Sequence, residues 1–436
     1  MATPAIPVVW IDTLPQHIGQ QVRVQGWVHR IRKVSGKLSF LVIKDISGTV
    51  QGVVSGKPDW LSELSPETAV EVYGEVTATT QQALGLEVQI SDVTIVGAVH
   101  RELPFELNQE DISAGLDLRL DHRVATLRHP KTRAIFTLES ELVRAFRDFL
   151  LQERFVEIFT PKIVATGTEG GSELFSVNYF DSIAYLAQSP QFFKQMAMGA
   201  GLQRVFEVAN AYRAEQHNTS RHLSEFVSFD LEMGFIQGLE DVLDLEERML
   251  RFAFDQLKSR CAPELAMYEM ELPEVKPIPR LSIKEIAAIL EREYGKTLST
   301  LDLDNEAERL IGEYVKEHYG SDFLFATHYG RDVRPMYTQP SASDPDTTES
   351  FDMLYKGMEM NSGAQRVHDL AVLEANIRFK GLNPEDFADY LEVFGYGMPP
   401  HGGFAIGVAR MVVKLLDLDN IREAVLFPRD RSRLSP

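Results

Sequence analysis

The sequence predicts an α+β multidomain chain: a small N-terminal β-barrel, then a larger domain whose antiparallel sheet is flanked by helices. Three observations predict it. Five short strand-like stretches crowd into residues 1–100. A strongly amphipathic helical pattern starts near residue 134. Beyond it, strand and helix patterns follow one another without strict βαβ alternation. The length of 436 residues also exceeds what one core usually serves.

The first strand pattern is the alternation Val22, Val24, Gly26, Val28, and others follow at 40–43, 50–54, 70–76 and 86–96, separated by glycine and polar turns such as Ser47-Gly48. Five strands of this size fit an OB-fold, or another five-stranded barrel or sandwich. Residues 104–133 are charged and mixed, with Pro104 and Pro130, and read as a hinge between domains 1–103 and 134–436. Next, Ile135, Leu138, Leu142, Phe146, Phe149 and Leu150 recur at three- and four-residue spacings, one apolar helix stripe. A short strand at 155–159 ends at Thr160-Pro161. Strands are expected through 205–235 and 350–395, and helices over 239–260, 283–297, 303–317 and 403–417.

Composition narrows the class. Apolar residues make up 44% and charged residues 25%, as in ordinary globular proteins. No apolar run of about 18 residues is present, so no membrane span is expected. Residues 1–10 lack a basic start and a long apolar run, which predicts no signal peptide. One cysteine, Cys261, excludes an internal disulfide and a Cys-rich zinc site, and a cytoplasmic location is expected. The net charge of −20 argues against a phosphate-binding surface over the whole chain. Residues 1–105 hold 8 Lys/Arg against 10 Asp/Glu, so about −2 lies there and −18 in the remainder. The N-terminal domain is the less repulsive face for an RNA.

Four polar segments stand where a purely structural domain would be apolar. Thr166-Gly167-Thr168-Glu169-Gly170-Gly171-Ser172-Glu173 has the glycines of a mobile loop. In Gln188-Ser189-Pro190-Gln191-Phe192-Phe193-Lys194-Gln195, Gln191 and Lys194 share a face if a helix starts after Pro190, and an amide with a cation suits a carboxylate. The third segment runs from Phe206 to Glu232 as two apolar-alternating strands joined by a polar loop carrying Arg221 and His222. Arg213 lies inside its first strand pattern, where a guanidinium is costly unless it binds an anion such as phosphate. The fourth runs from Gly395 through His401-Gly402-Gly403 to Gly407 and Arg410, with glycines that let the backbone approach a ligand.

Together these segments resemble the three signature motifs of class II aminoacyl-tRNA synthetases, in order. Motif 1 resembles residues 142–161, motif 2 resembles 206–232 and motif 3 resembles 403–410. Within that class, Thr168-Glu169-Gly170-Gly171, Gln188-Ser189-Pro190-Gln191 with Lys194, and Ser362-Gly363-Ala364-Gln365-Arg366 are similar to aspartyl-tRNA synthetases of the archaeal and eukaryotic type. The bacterial type's insertion between motifs 2 and 3 does not fit the spacing here.

The resemblance implies ATP-dependent formation of aspartyl-adenylate and its transfer to tRNA. It assigns Arg213 to the α-phosphate and the amino acid carboxylate, and Arg221 and His222 to the outer phosphates. Arg410 goes to the γ-phosphate, Phe226 to adenine, and Glu215 to adenine or the tRNA end. Ala214, Leu223, Gly407, Val408 and Ala409 fall at other ATP-binding positions. Glu359 and Ser362 match the magnesium positions, with Asp352 as a helper. Lys194 and Arg366, assisted by Gln191, would pair the side-chain carboxylate of aspartate, leaving two cations partly uncompensated if asparagine entered. Phe192, Phe193 and Ser362 belong to the same aspartate set, and Glu169 and Asp230 would receive the ammonium. In the N-terminal domain, Phe40 and Gln51, with Arg32 nearby, fall where the family stacks and reads an anticodon base. Arg30, Arg32, Lys33 and Lys37 form a basic strip there.

Two departures are informative. The residue before the motif 3 arginine, usually acidic, is Ala409. His29 fits relatives that also charge tRNA(Asn), and Ala83 lacks the lysine of relatives restricted to tRNA(Asp). The expectation is an enzyme that serves tRNA(Asp) and tRNA(Asn), with an amidotransferase as a further partner. Motif 1 implies a homodimer. The rivals are an asparaginyl-tRNA synthetase and an inactive paralogue that only binds RNA or a partner.

Overall fold

A computed structural model describes residues 6–82, 84–167, 173–216 and 219–436. Among these, no helix is long and apolar enough to cross a membrane. The chain divides into two compact units, Met1–His129 and Pro130–Pro436.

The first unit holds β1 (Val8–Val9), β2 (Gln21–Ser35), β3 (Leu38–Lys44), β4 (Thr49–Ser55), β5 (Ala69–Ala78) and β6 (Leu86–Gly97). Their order is β1-β2-β3-β4-β6-β5, and β2 also pairs with β5, closing a five-stranded ring. This is the OB-fold the alternation predicted. Val22, Val24, Leu41, Ile43, Val50, Val54, Val72 and Val88 form its core, because alternate strand residues share one face. Gly74 is required by close approach: a Cβ there would lie 2.4 Å from the carbonyl oxygen of Gln89.

The segment expected as a hinge contains two short helices, α1 (Leu116–Asp121) and α2 (Arg123–Thr126), and its last residues open the helix α3 (Pro130–Gln152). The stripe from Ile135 to Leu150 is buried in the core of the second unit. There follow β7 (Val156–Glu157), β8 (Ile163–Val164), β9 (Ser176–Tyr179), β10 (Ser182–Leu186), α4 (Gln191–Gly199), β11 (Arg204–Tyr212) and β12 (Glu225–Gly234). The chain continues through α5 (Leu239–Arg260), α6 (Ala262–Met267), β13 (Arg280–Ser282), α7 (Ile283–Tyr294), α8 (Asn305–Tyr319), β14 (Phe323–Thr327), β15 (Ser350–Tyr355) and β16 (Met358–Arg366). It ends with α9 (Leu370–Phe379), α10 (Ala388–Glu392), β17 (His401–Gly407) and α11 (Val408–Leu416).

Eight strands form one sheet in the order β13-β14-β15-β16-β17-β12-β11-β7, antiparallel except for its two outermost pairs. Two expectations fail. The helix predicted over 403–417 starts only at Val408, and 401–407 is a central strand. The reason is contact: a Cβ on Gly403 would sit 2.1 Å from the carbonyl oxygen of Leu231 on the neighbouring strand. Residues 370–379 and 384–392, expected as strand, are helical instead, and Leu373 and Ile377 are buried one turn apart in a core with Phe387 and Tyr390.

Candidate active site

One face of the large sheet carries the predicted residues because strand side chains alternate. Phe226, Ser228, Asp230 and Glu232 follow one another at every second position of β12. The register sets Asp230 against Ala405 and Glu232 against Gly403 of β17, and places Ser362 against Ala405 and Ala364 against Gly403 on the other side. Small residues in the middle strand therefore leave a floor between two charged walls.

Two cavities open on this face. The first is lined by Arg213, Glu215, Arg221, His222, Leu223, Phe226, Glu359, Ser362, Gly407, Ala409 and Arg410 among others. The second is lined by Gln188, Gln191, Arg213, Asp230, Arg334, Tyr337, Ser362, Arg366 and Ala405 among others. Arg213, Ser362 and Ala405 line both. The Arg213 guanidinium lies 5.4 Å from the Phe226 ring centroid, and its Nε is buried without a hydrogen-bond partner.

The walls of the second cavity are a closed charge network. Lys194 Nζ is fully buried, 3.0 Å from Asp230 Oδ1 and 3.7 Å from Glu232 Oε2. Arg366 donates from Nε to Glu232 Oε1 at 3.0 Å and from Nη2 to the Gly403 carbonyl at 2.9 Å. Ser228 Oγ donates to the other Asp230 oxygen at 2.5 Å. Gln191 Nε2 reaches Glu232 Oε2 at 3.4 Å. Burial pushes the Glu232 carboxyl up, but the charges of Arg366 and Lys194 outweigh it and hold it below the usual range. His401 Nε2 meets Gln195 Nε2 at 2.9 Å, and burial lowers its pKa.

Two family models match the chain. "tRNA synthetases class II (D, K and N)" covers residues 115–431, and "OB-fold nucleic acid binding domain" covers 22–96. The chain is a class II tRNA synthetase. It is 46% identical to the aspartate–tRNA(Asp/Asn) ligase of Thermus thermophilus, over 98% of this chain and all of that protein. It is 42% identical to the aspartate–tRNA(Asp) ligase of Pyrococcus abyssi, over 96% and 97%. Its structure resembles asparaginyl-tRNA synthetase from Pyrococcus horikoshii complexed with asparaginyl-adenylate, with a TM-score of 0.89 at 34% identity over 98% and 99% of the two chains. Aspartyl-tRNA synthetase from Entamoeba histolytica gives 0.88 at 30% identity over 100% and 94%.

Class II tRNA synthetases use ATP, and the first cavity of this synthetase is the one with dispersed charge. Arg410 Nη1 lies 3.5 Å from Glu359 Oε1. Arg221 Nη1 lies 2.7 Å from Asn305 Oδ1 and 3.6 Å from Glu308 Oε2 on α8. Burial and the neighbouring Asp352 push the Glu359 carboxyl up. Burial, then Glu359, raises Glu308 to about 7. Ser362 Oγ approaches Glu359 Oε1 at 3.4 Å and Asp352 Oδ1 at 2.7 Å. These are hard oxygen donors with carboxylates crowded together, which fits a magnesium ion carrying several waters. Among the described residues no cluster of three or more His, Cys, Asp or Glu is placed to hold a metal. The other Asp352 oxygen is taken by Arg334 Nη2 at 2.6 Å, so both of its oxygens are engaged.

Five predicted site residues lie away from the cavity expected for them. Lys194 does not line the second cavity; it lies fully buried between Asp230 and Glu232. The cation pair with Arg366 is thus already compensated before any substrate enters. Phe192 and Phe193 do not line that cavity either: Phe192 stacks on Tyr390 at 4.3 Å within an apolar core, and both line a separate pocket. Val408 is fully buried in the main core, not in the ATP cavity. Ala214 lines a third pocket with Tyr212 and Arg429, and Glu215 lines that pocket and the ATP cavity. Glu169 and Ala83 lie outside the described residues.

Sequence reading missed Glu232, Gln195, His401, Arg334 and Glu308 as site residues. A signal existed for Glu232: it follows Asp230 by two on a strand, so it shares that residue's face. Glu308 arrives from a helix remote in sequence, and nothing in its spacing marks it.

In the OB-fold unit, Phe40 and Gln51 lie on outward faces of β3 and β4 and are half-buried. Arg32 pairs with Phe40 across strands, and its guanidinium lies 5.5 Å from the ring centroid. His29 sits at a register shift in β2. Its Nδ1 is buried without a hydrogen-bond partner, and burial, then the Lys44 charge, lowers its pKa.

Proposed function

We propose that the chain activates L-aspartate with ATP and transfers it to the 3′ end of tRNA(Asp) and of tRNA(Asn). The observation that carries the reading is the meeting of two cavities at Arg213, Ser362 and Ala405. An amino acid in the second cavity and a nucleotide in the first would bring the α-carboxylate to the α-phosphorus. A bond forms from carboxylate oxygen to phosphorus as the bond to the bridging oxygen breaks and pyrophosphate leaves. Arg213 touches both compartments, so it is placed to steady the charge that develops between them. Arg221, His222 and Arg410 hold the outer phosphates, and Phe226 and Glu215 the adenosine. Magnesium, held by Glu359 and Ser362 with Asp352 behind Ser362, supplies neutralisation of phosphate charge. In the second step the tRNA 3′-hydroxyl attacks the adenylate carbonyl, AMP leaves, and no protein nucleophile is needed.

Aspartate is supported by the Lys194–Asp230–Glu232–Arg366 network. Arg366 uses Nε and Nη2 on the protein, which leaves Nη1 for the substrate's second carboxylate, with Gln191 beside it. Fold alone does not choose between the acid and its amide, since aspartyl and asparaginyl structures match almost equally. Glu169 and Asp230 receive the ammonium. Residues 1–103 serve as the anticodon domain, with Phe40 as stacking platform and Arg32 and Gln51 beside it, residues 104–133 as the connector and 134–436 as the catalytic domain. The exposed apolar residues Val156, Phe159 and Ile163 beside motif 1 support a homodimer. The reading places the enzyme in the cytoplasm, with an amidotransferase consuming Asp-tRNA(Asn).

Pyrophosphate exchange with aspartate or asparagine, followed by charging of both tRNA transcripts, tests this. Exchange with aspartate and comparable charging of both transcripts are expected. Exchange with asparagine alone would sink the amino acid assignment. Charging of tRNA(Asn) hundreds-fold below tRNA(Asp) would sink the dual specificity read from His29 and Ala83. Phe40→Ala should raise KM for tRNA about tenfold or more without changing pyrophosphate exchange, because stacking on one aromatic contributes about 1–3 kcal/mol.

A further inference from the structure

Strands β15 and β16 pair in regular register from Ser350–Ala364 to Met353–Asn361, and then slip: Leu354 pairs with Glu359. Met360 is the extra residue. If the regular register continued, Met360 would oppose Leu354 and Glu359 would oppose Tyr355, pointing to the other side of the sheet from Ser362. The bulge therefore brings Glu359 and Ser362, three residues apart, to one face.

A bulge frees backbone groups that a regular ladder would satisfy, and buried backbone donors need partners. Here side chains supply them. The Met353 N–H donates to Asn361 Oδ1 at 3.0 Å. The Glu359 N–H donates to Glu308 Oε2 at 3.2 Å. Asn361 is itself held: its Nδ2 donates to Glu246 Oε1 of α5. Glu246 is fully buried beside the apolar core, and burial pushes its carboxyl well above the usual range. A buried carboxyl in an otherwise apolar helix face costs stability, and Glu246 accepts its hydrogen bond from Asn361.

We infer that Asn361, braced by Glu246, is a positioning residue that holds the β15–β16 bulge and so aims Glu359 at the magnesium site. Neither residue needs to touch substrate. The inference rests on the reading of Glu359 as a magnesium ligand, and the test separates the two. Mn²⁺ binding to the full-length protein with ATP present, followed by the EPR signal of the free ion, is the readout. KM for aspartate is measured alongside.

Asn361→Ala and Glu246→Leu should each weaken Mn²⁺ binding about tenfold or more, the usual size of an outer-sphere effect on metal affinity. KM for aspartate should stay within about twofold. Glu246→Gln keeps an acceptor for Asn361 and should restore wild-type Mn²⁺ binding. If Glu359→Gln loses Mn²⁺ binding while Asn361→Ala and Glu246→Leu keep it, the bulge proposal is overturned and the ligand reading stands. If Glu359→Gln binds Mn²⁺ as the wild type does, the ligand reading falls and takes the proposal with it. Loss of metal and aspartate affinity in parallel would mark a general loss of structure and also overturns it. Glu246→Leu carries the test if Asn361→Ala does not fold.

Discussion

The amino-acid cavity and the ATP cavity share three lining residues but hold charge in opposite ways. In the first, two cations and two carboxylates neutralise one another within buried contacts: Lys194 to Asp230 at 3.0 Å and Arg366 to Glu232 at 3.0 Å. In the second, Arg410 and Arg221 stand 3.5 and 3.6 Å from carboxylates, and Arg213 keeps a buried Nε without a partner. A pre-neutralised network costs little to leave without a ligand. A site with loosely paired cations is arranged for a polyphosphate that arrives with its own charge. The contrast implies that the buried charges beside the amino-acid cavity also support the fold, whereas those in the ATP cavity support the chemistry.

The largest expected effect strikes the buried network beside the amino-acid cavity. Lys194→Met removes the ammonium and leaves Asp230 and Glu232 buried side by side. Breaking a buried pair by removing one partner typically costs about 3–5 kcal/mol. Urea denaturation should show a loss of that size. A loss below about 1 kcal/mol would erase the contrast, because Lys194 would then act as a substrate group with little structural role.

Next comes the second cavity. Arg213→Ala should lower kcat for pyrophosphate exchange about 100- to 1,000-fold, the usual result of removing one preorganised group that stabilises transition-state charge. Stability should change by less than about 1 kcal/mol, since no hydrogen bond to Nε is lost. A large stability loss with a small kinetic effect would reverse the assignment of the two cavities.

The contrast also explains what was legible in the sequence. The five barrel strands and the α3 stripe were legible because alternation and three-to-four spacing record burial directly. Arg213, Arg221, Phe226 and Arg410 were legible because charged, aromatic and glycine-rich segments stand out of apolar patterns, and they do meet in one cavity. The pairing of Lys194 with Asp230 and Glu232 was not legible. A buried lysine and an exposed one are the same letter, and Glu232 only becomes its partner when β12 lies beside α4. The helix expected at 403 failed because glycine there answers to the neighbouring strand, not to its own segment. Glu308 and Glu246 act from helices whose spacing records only their apolar faces.

The smallest effect is a pH dependence that belongs to the network beside the amino-acid cavity. His401 is buried beside Glu232, Arg366 and His368, and burial, opposed by Glu232, lowers its pKa. In the unfolded chain it titrates near the ordinary value of about 6.5. Between that value and its lower folded one, the unfolded chain binds a proton that the native protein does not. Stability from this residue is therefore fully present above about pH 6.5 and falls as the solution is acidified towards the folded pKa. Protonation would add a third cation to a network that already sums to zero. His401→Gln removes the titration. Between pH 6.5 and 5.5 the wild type should lose stability relative to the variant, read as a steeper fall in urea midpoint. Parallel midpoint curves would mean that His401 charges without penalty. The network beside the amino-acid cavity would then have spare capacity for charge, and its difference from the ATP cavity would be one of burial only.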